Sequence, residues 1–82
     1  MISQERLAMQ GAAAVLTRET AQLRLAVKGH ATVMRGQLSI YALQHLSEID
    51  IDEFQTSSNL FVSALRELRA KEAELQEIEA GL

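Results

Sequence analysis

Between residues 3 and 47 the chain contains no proline, no asparagine and no aspartate, residues that commonly end a helix or set a turn. Proline is absent from the rest of the chain as well, while alanine, leucine, glutamate and glutamine are abundant. A run of that length with so little to interrupt it predicts an all-α fold.

One boundary is written clearly. In "SEIDIDEF", Asp50 suits a helix N-cap and Glu53 stands three residues later, the spacing of a capping box. Ile49 and Phe54 flank the cap as a hydrophobic staple would, and Asp52 and Glu53 put negative charge on the positive end of the new helix. The alternative start, at Ser57 or Ser58, leaves residues 50 to 56 as loop. The expectation is a single domain, residues 1 to 82, folded as a long antiparallel hairpin with helices at about 3–47 and 51–80. Ile51, Phe54, Ser58, Phe61, Leu65, Leu68, Glu72, Leu75 and Leu82 form the seam of the second helix, and Gly81 is placed as its C-terminal stop. Glu72 and Glu79 in that seam mark where apolar contacts thin out, or where a cation of the first helix reaches across.

The first helix carries two opposed stripes at roughly 100° per residue. Met9, Ala13, Leu16, Thr20, Leu23, Val27, Met34, Leu38, Tyr41 and His45 share one side and can pack on the second helix. Leu7, Gly11, Val15, Leu25, Gly29, Val33, Gly36, Ile40 and Leu43 share the other. Glycine inside a helix costs roughly 0.5–1 kcal/mol relative to alanine. The three interior glycines therefore need a reason, and a close helix contact supplies one. A hairpin offers the first helix only one neighbour, so the second is expected to come from another chain, most simply an identical one, giving a homodimeric helical bundle. The alternative reading ends a first helix at Gly29, after Lys28, and makes residues 31 to 48 the middle helix of a three-helix bundle. At 1.5 Å per residue the first helix would overhang the second by roughly 20 Å, including "GAAAVL".

Residues 1–47 carry five basic and two acidic side chains, and residues 48–82 three basic and nine acidic, which favours antiparallel packing. Arg6, Arg24, Lys28 and Arg35 lie in one polar sector, a possible electrostatic contact with the acidic half or with an acidic partner. Nucleic acid is a poor fit, because the net charge is −3 and no aromatic residues interleave with the cations.

The residue patterns of catalysis and metal binding are missing. With no cysteine there is neither a disulfide nor a thiolate site. His45 and Glu48 could touch one ligand, but a metal site needs a convergent third and His30 lies elsewhere round the helix. Tyr41 reads as core, the serines of "TSSN" have no paired base, and no phosphate-binding or dinucleotide motif occurs. No enzyme activity and no cofactor are expected.

The N-terminal residues become charged too early for a signal peptide and no apolar run approaches a membrane span, so the expected setting is the cytoplasm, away from membrane. The expected function is a small interaction module that binds a larger protein and inhibits or escorts it, as accessory proteins of phages or secretion systems do. The alternative is a structural coiled-coil subunit of needle, rod or scaffold type.

Overall fold

A computed structural model describes residues 3–81. Three α-helices follow one another: α1 (Gln4–Gln37), α2 (Ile40–Gln44) and α3 (Ile51–Gly81), with a 3-10 turn at Leu46–Glu48 between the last two. The helices α1 and α3 run antiparallel as a hairpin, and the rod measures 66 × 16 × 15 Å. The long antiparallel helical hairpin expected from the sequence is the fold, with one bend in its first arm.

Each helix begins on a side-chain cap. The Ser3 hydroxyl accepts from the Arg6 N–H at 3.2 Å, and the Asp50 carboxylate accepts from the Glu53 N–H at 3.0 Å. The Asp50 cap places the start of α3 at Ile51 and rules out the later start at the serines.

The seam between the arms has a strict 3-4 alternation. On α1 the residues turned towards α3 are Met9, Ala13, Leu16, Thr20, Leu23, Val27, His30, Met34 and Gln37, all at least half-buried. On α3 they are Phe54, Ser57, Phe61, Ala64, Leu68, Lys71, Leu75 and Ile78. A seven-residue repeat on both arms is the pattern of an antiparallel coiled coil. Three contacts set the register: Gly81 against Met9, Lys71 against Glu19, and Gln37 against Ser57.

Polar side chains in the seam make two hydrogen bonds there, while Gln37 Oε1 is buried without a hydrogen-bond partner among the described residues. Thr20, 1 % exposed, donates its hydroxyl to the Thr17 carbonyl at 2.9 Å, and Gln37 Nε2 donates to Ser57 Oγ at 2.9 Å.

Several sequence expectations need correction. The first helix stops at Gln37 rather than 47. Leu38 takes φ −104° and ψ 31°, and Ser39 is extended (ψ 165°) with its hydroxyl accepting from the Ala42 N–H at 3.3 Å. Ser39 thus caps a separate short helix, and the chain needs this bend in order to reverse. Leu38, Tyr41 and His45 leave the seam and are exposed, while His30 and Gln37 enter it.

The three-helix alternative fails because Gly29 is interior to α1 and has no positive φ, so nothing breaks there. With 34 residues in α1 and 31 in α3, the arms are nearly equal, about 51 and 46 Å. The predicted overhang is therefore absent, and the "GAAAVL" segment lies along α3 with Leu16 buried.

In the α3 seam the buried positions are Ser57 and Leu68. Ala64 and Lys71 share the seam repeat, with Leu65 and Glu72 half-buried beside it, and Ile51 is 76 % exposed at the helix start. Leu82 lies outside the described residues. Gly81 is not a left-handed stop. It closes the helix with no positive φ, and a Cβ there would come within 2.8 Å of Met9 Cε, the flexible end of a side chain that can shift aside.

Two outcomes follow from these caps and glycines. Asp50→Ala removes the α3 cap and lowers stability by about 0.5–2 kcal/mol, measured by chemical or thermal unfolding. Gly11→Ala raises it by about 0.5–1 kcal/mol, because a Cβ there meets nothing within 4 Å. An unchanged melting temperature in either variant would contradict the corresponding assignment.

Candidate interaction surface

Two helices can bury only the stripe where they meet, and the apolar residues off that stripe stay in water. Among the described residues only Leu16 and Leu68 are buried hydrophobics, whereas twelve large hydrophobic side chains are exposed. Every large aliphatic residue of the predicted outer stripe is among the twelve: Leu7, Val15, Leu25, Val33, Ile40 and Leu43. The glycines of that stripe, Gly11, Gly29 and Gly36, face open space, with no atom within 4 Å of where a Cβ would be. Nothing in the hairpin itself uses their small size.

The outer stripe is not continuous. Arg18 and Gln22 project from the same side of α1 and are exposed. They divide it into an N-terminal stretch with Leu7, Gly11 and Val15, and a C-terminal stretch from Leu25 to Gly36 that leads into the bend.

The bend, residues 38 to 50, is the second apolar region. Leu38, Ile40, Tyr41, Leu43 and Leu46 are exposed there, and Ile51 joins them at the start of α3. Local bonds hold the bend together. Tyr41 donates its hydroxyl to Glu48 Oε2 at 2.9 Å, and its ring stacks on His45 with centroids 4.1 Å apart. His45 Nδ1 lies 2.9 Å from the Tyr41 carbonyl oxygen. A carbonyl only accepts, so that nitrogen carries the proton. Behind these rings is an open cleft of about 230 Å³ lined by Gln37, Tyr41, Ala42, His45, Glu48, Ile49, Asp50 and Glu53.

His45 and Glu48, the pair that could have shared a ligand, are linked through Tyr41 and both line this open cleft. No group of three or more potential metal ligands occurs among the described residues.

The cationic residues have separate environments. Arg24 reaches across to Glu72 at 3.5 Å, so the carboxylate in the seam region marks a bridge between the arms, as its position suggested. Glu79 and Arg24 line a second open depression on the same flank. Arg35 sits in the last turn of α1, where a cation complements the negative helix end. Arg6 donates its backbone N–H to Ser3, and Lys28 lends its carbonyl to the Thr32 hydroxyl at 2.9 Å. The four are not drawn into one cluster.

The shorter of the two described bridges between the arms, absent from the sequence expectations, joins Lys71 Nζ to Glu19 Oε2 at 2.6 Å. The hydrogen bond and charge of Glu19 raise the Lys71 pKa, with smaller contributions from Glu67 and Glu74. A raised lysine pKa means that this pairing supports the fold fully below the ordinary lysine range and is lost as pH climbs through the raised value. The 3-4 spacing puts Lys71 between Leu68 and Leu75, yet a lysine taken alone argues for water until Glu19 is placed against it.

Among the described residues no helix is long and apolar enough to cross a membrane. Compared with known proteins, the chain matches no family model, no curated protein and no solved structure.

Proposed function

We propose that this chain is a non-enzymatic helical interaction module that pairs with itself and docks on a larger protein, inhibiting or escorting it in the cytoplasm. The observation that carries the reading is the apolar inventory: two buried hydrophobic residues against twelve large exposed ones among the described residues. Single exposed apolar residues are ordinary, but contiguous ones at this density mark surfaces that another protein covers.

The surface area supports the same reading. The hairpin exposes 6326 Å², whereas a compact monomer of 9.1 kDa exposes about 4,900 Å². The excess, about 1,400 Å², follows from the rod's elongated shape and leaves room for a standard interface, to which each partner contributes roughly 800 Å². An outer α1 face covered by a second copy still leaves the apolar bend at the end of the rod, where a larger partner has room to dock.

A second reading, a polymerising rod or scaffold subunit, is favoured by the division of the outer stripe at Arg18 and Gln22. Two separate apolar stretches on one rod can each recruit a different copy, and assembly then does not close.

Sedimentation equilibrium over a micromolar concentration series separates these outcomes. A closed dimer is expected. A mass that keeps growing with concentration supports the rod, and a folded monomer throughout the series overturns self-association. For docking, the wild-type chain immobilised in lysate of its host should retain a protein that Leu46→Asp does not, with the dimer mass unchanged in the variant. Equal retention by both would remove the bend from the docking surface.

A further inference from the structure

The charges of the rod are not spread evenly along it. Residues 36–65 contain no lysine or arginine, and Glu48, Asp50, Asp52 and Glu53 lie close together within that span. All four are exposed, and none forms a salt bridge among the described residues. Helix dipoles do not offset this charge, because the negative end of α1 and the positive end of α3 meet at the same end of the rod. That end also carries Leu38, Ile40, Leu43, Leu46 and Ile51, all exposed. An apolar surface beside uncompensated carboxylates complements a segment with aliphatic residues on one face and cations along its edge.

We propose that the bend docks a basic amphipathic segment of the larger partner, with one of its lysine or arginine side chains seated in the cleft beside Tyr41. The inference rests on the docking reading above and adds the chemistry of the partner.

The cleft suits such a side chain. At about 230 Å³ it is smaller than the roughly 300–1,000 Å³ of small-molecule sites. Tyr41, Ala42 and Ile49 give it apolar walls for an aliphatic stem, and Glu48, Asp50 and Glu53 offer carboxylates to the charged head. Glu48 and Asp50 each accept one bond from the bend itself, from the Tyr41 hydroxyl and the Glu53 N–H, and an ionised carboxylate has further lone pairs. His45 adds another acceptor in its neutral form, since Nδ1 carries the proton and Nε2 does not. No lysine or arginine lines the cleft. No three potential metal ligands converge among the described residues, so the charge calls for a cation carried by a partner rather than a metal ion.

A second copy of this chain fits the bend less well. After Lys71, the last basic residue, come Glu72, Glu74, Glu77 and Glu79, so the opposite end of the rod is acidic too. End-to-end contact would bring like charges together. Nucleic acid and anionic lipid surfaces are repelled by the same carboxylates.

The probe is a synthetic amphipathic helical peptide of alanine, leucine and arginine, titrated into the full chain by calorimetry beside a counterpart with glutamate for arginine. The basic peptide is expected to bind, less tightly as salt is raised, and the acidic one is not. Asp52→Asn combined with Glu53→Gln keeps a capping-box side chain at residue 53 and is expected to weaken binding roughly five-fold or more. Leu43→Gln is expected to weaken it as well, with helical circular dichroism retained in both variants. Glu77→Gln combined with Glu79→Gln removes the same charge from the other end and leaves the affinity unchanged. Equal weakening by the two pairs would mean a general attraction to an acidic protein and overturn the site, as would binding of the acidic peptide. If Leu43→Gln dissociates a dimer in sedimentation, the bend is a contact between copies and the proposal is overturned. In the lysate experiment above, retention through Leu46 without any response to the basic peptide keeps the docking reading and overturns its chemistry, whereas loss of both overturns the docking reading as well.

Discussion

Everything in this molecule depends on one seam, the 3-4 interleaving of side chains where α1 meets α3. There is no third layer to bury what the seam leaves out. A two-helix seam covers little more than a stripe of each helix, and here seven of the seventeen seam positions are small or polar: Ala13, Thr20, His30, Gln37, Ser57, Ala64 and Lys71. The apolar residues that remain are therefore numerous and mostly in water. That imbalance is what the proposed association rests on, because the described residues include no further element to cover them.

Polar residues in the seam give up hydrophobic burial in exchange for registry. Sliding one helix by a turn against the other would separate Gln37 from Ser57 and Lys71 from Glu19, whereas aliphatic contacts alone would re-form in the shifted position. The bridge from Arg24 to Glu72 adds to the same selection from the flank of the seam. Bridges that are partly exposed contribute little to stability individually. Their value here is in choosing one alignment out of several that a repetitive apolar seam permits.

The bend illustrates a different balance. Its bonds are local: Ser39 to Ala42, Tyr41 to Glu48 and His45 to Tyr41 all span eight residues or fewer. Segments with few buried apolar contacts open at lower free energy than the elements they join. Leu38, Ile40, Leu43 and Leu46 are thus carried on the part of the rod best able to adjust to another surface. The long arms, by contrast, hold their outer residues on continuous helices.

The all-α hairpin, the Asp50 cap and the two-sided character of α1 were legible in the residues themselves, because they depend on local chemistry: which side chains can cap, which interrupt a helix, and which recur every three or four positions. Even the exposure of the outer stripe could be read in this way, since a helix touching one neighbour must leave its far side free. The end of α1 could not. Ser39 is a modest cap with no acidic residue three positions on, and it resembles any other serine in a helical run until the chain has to turn back and meet α3 in register. The seam contacts of His30, Gln37 and Lys71 were hidden for a related reason. Their polarity argues for water when each is taken alone, and only the packed arms place Ser57 against Gln37 Nε2 and Glu19 against Lys71. Local sequence determined that there would be two amphipathic arms and where the second begins. The length of the first arm, the register between them and the bend that exposes the apolar end of the rod depend on contacts between residues distant in the chain, and those exist only once the arms have packed.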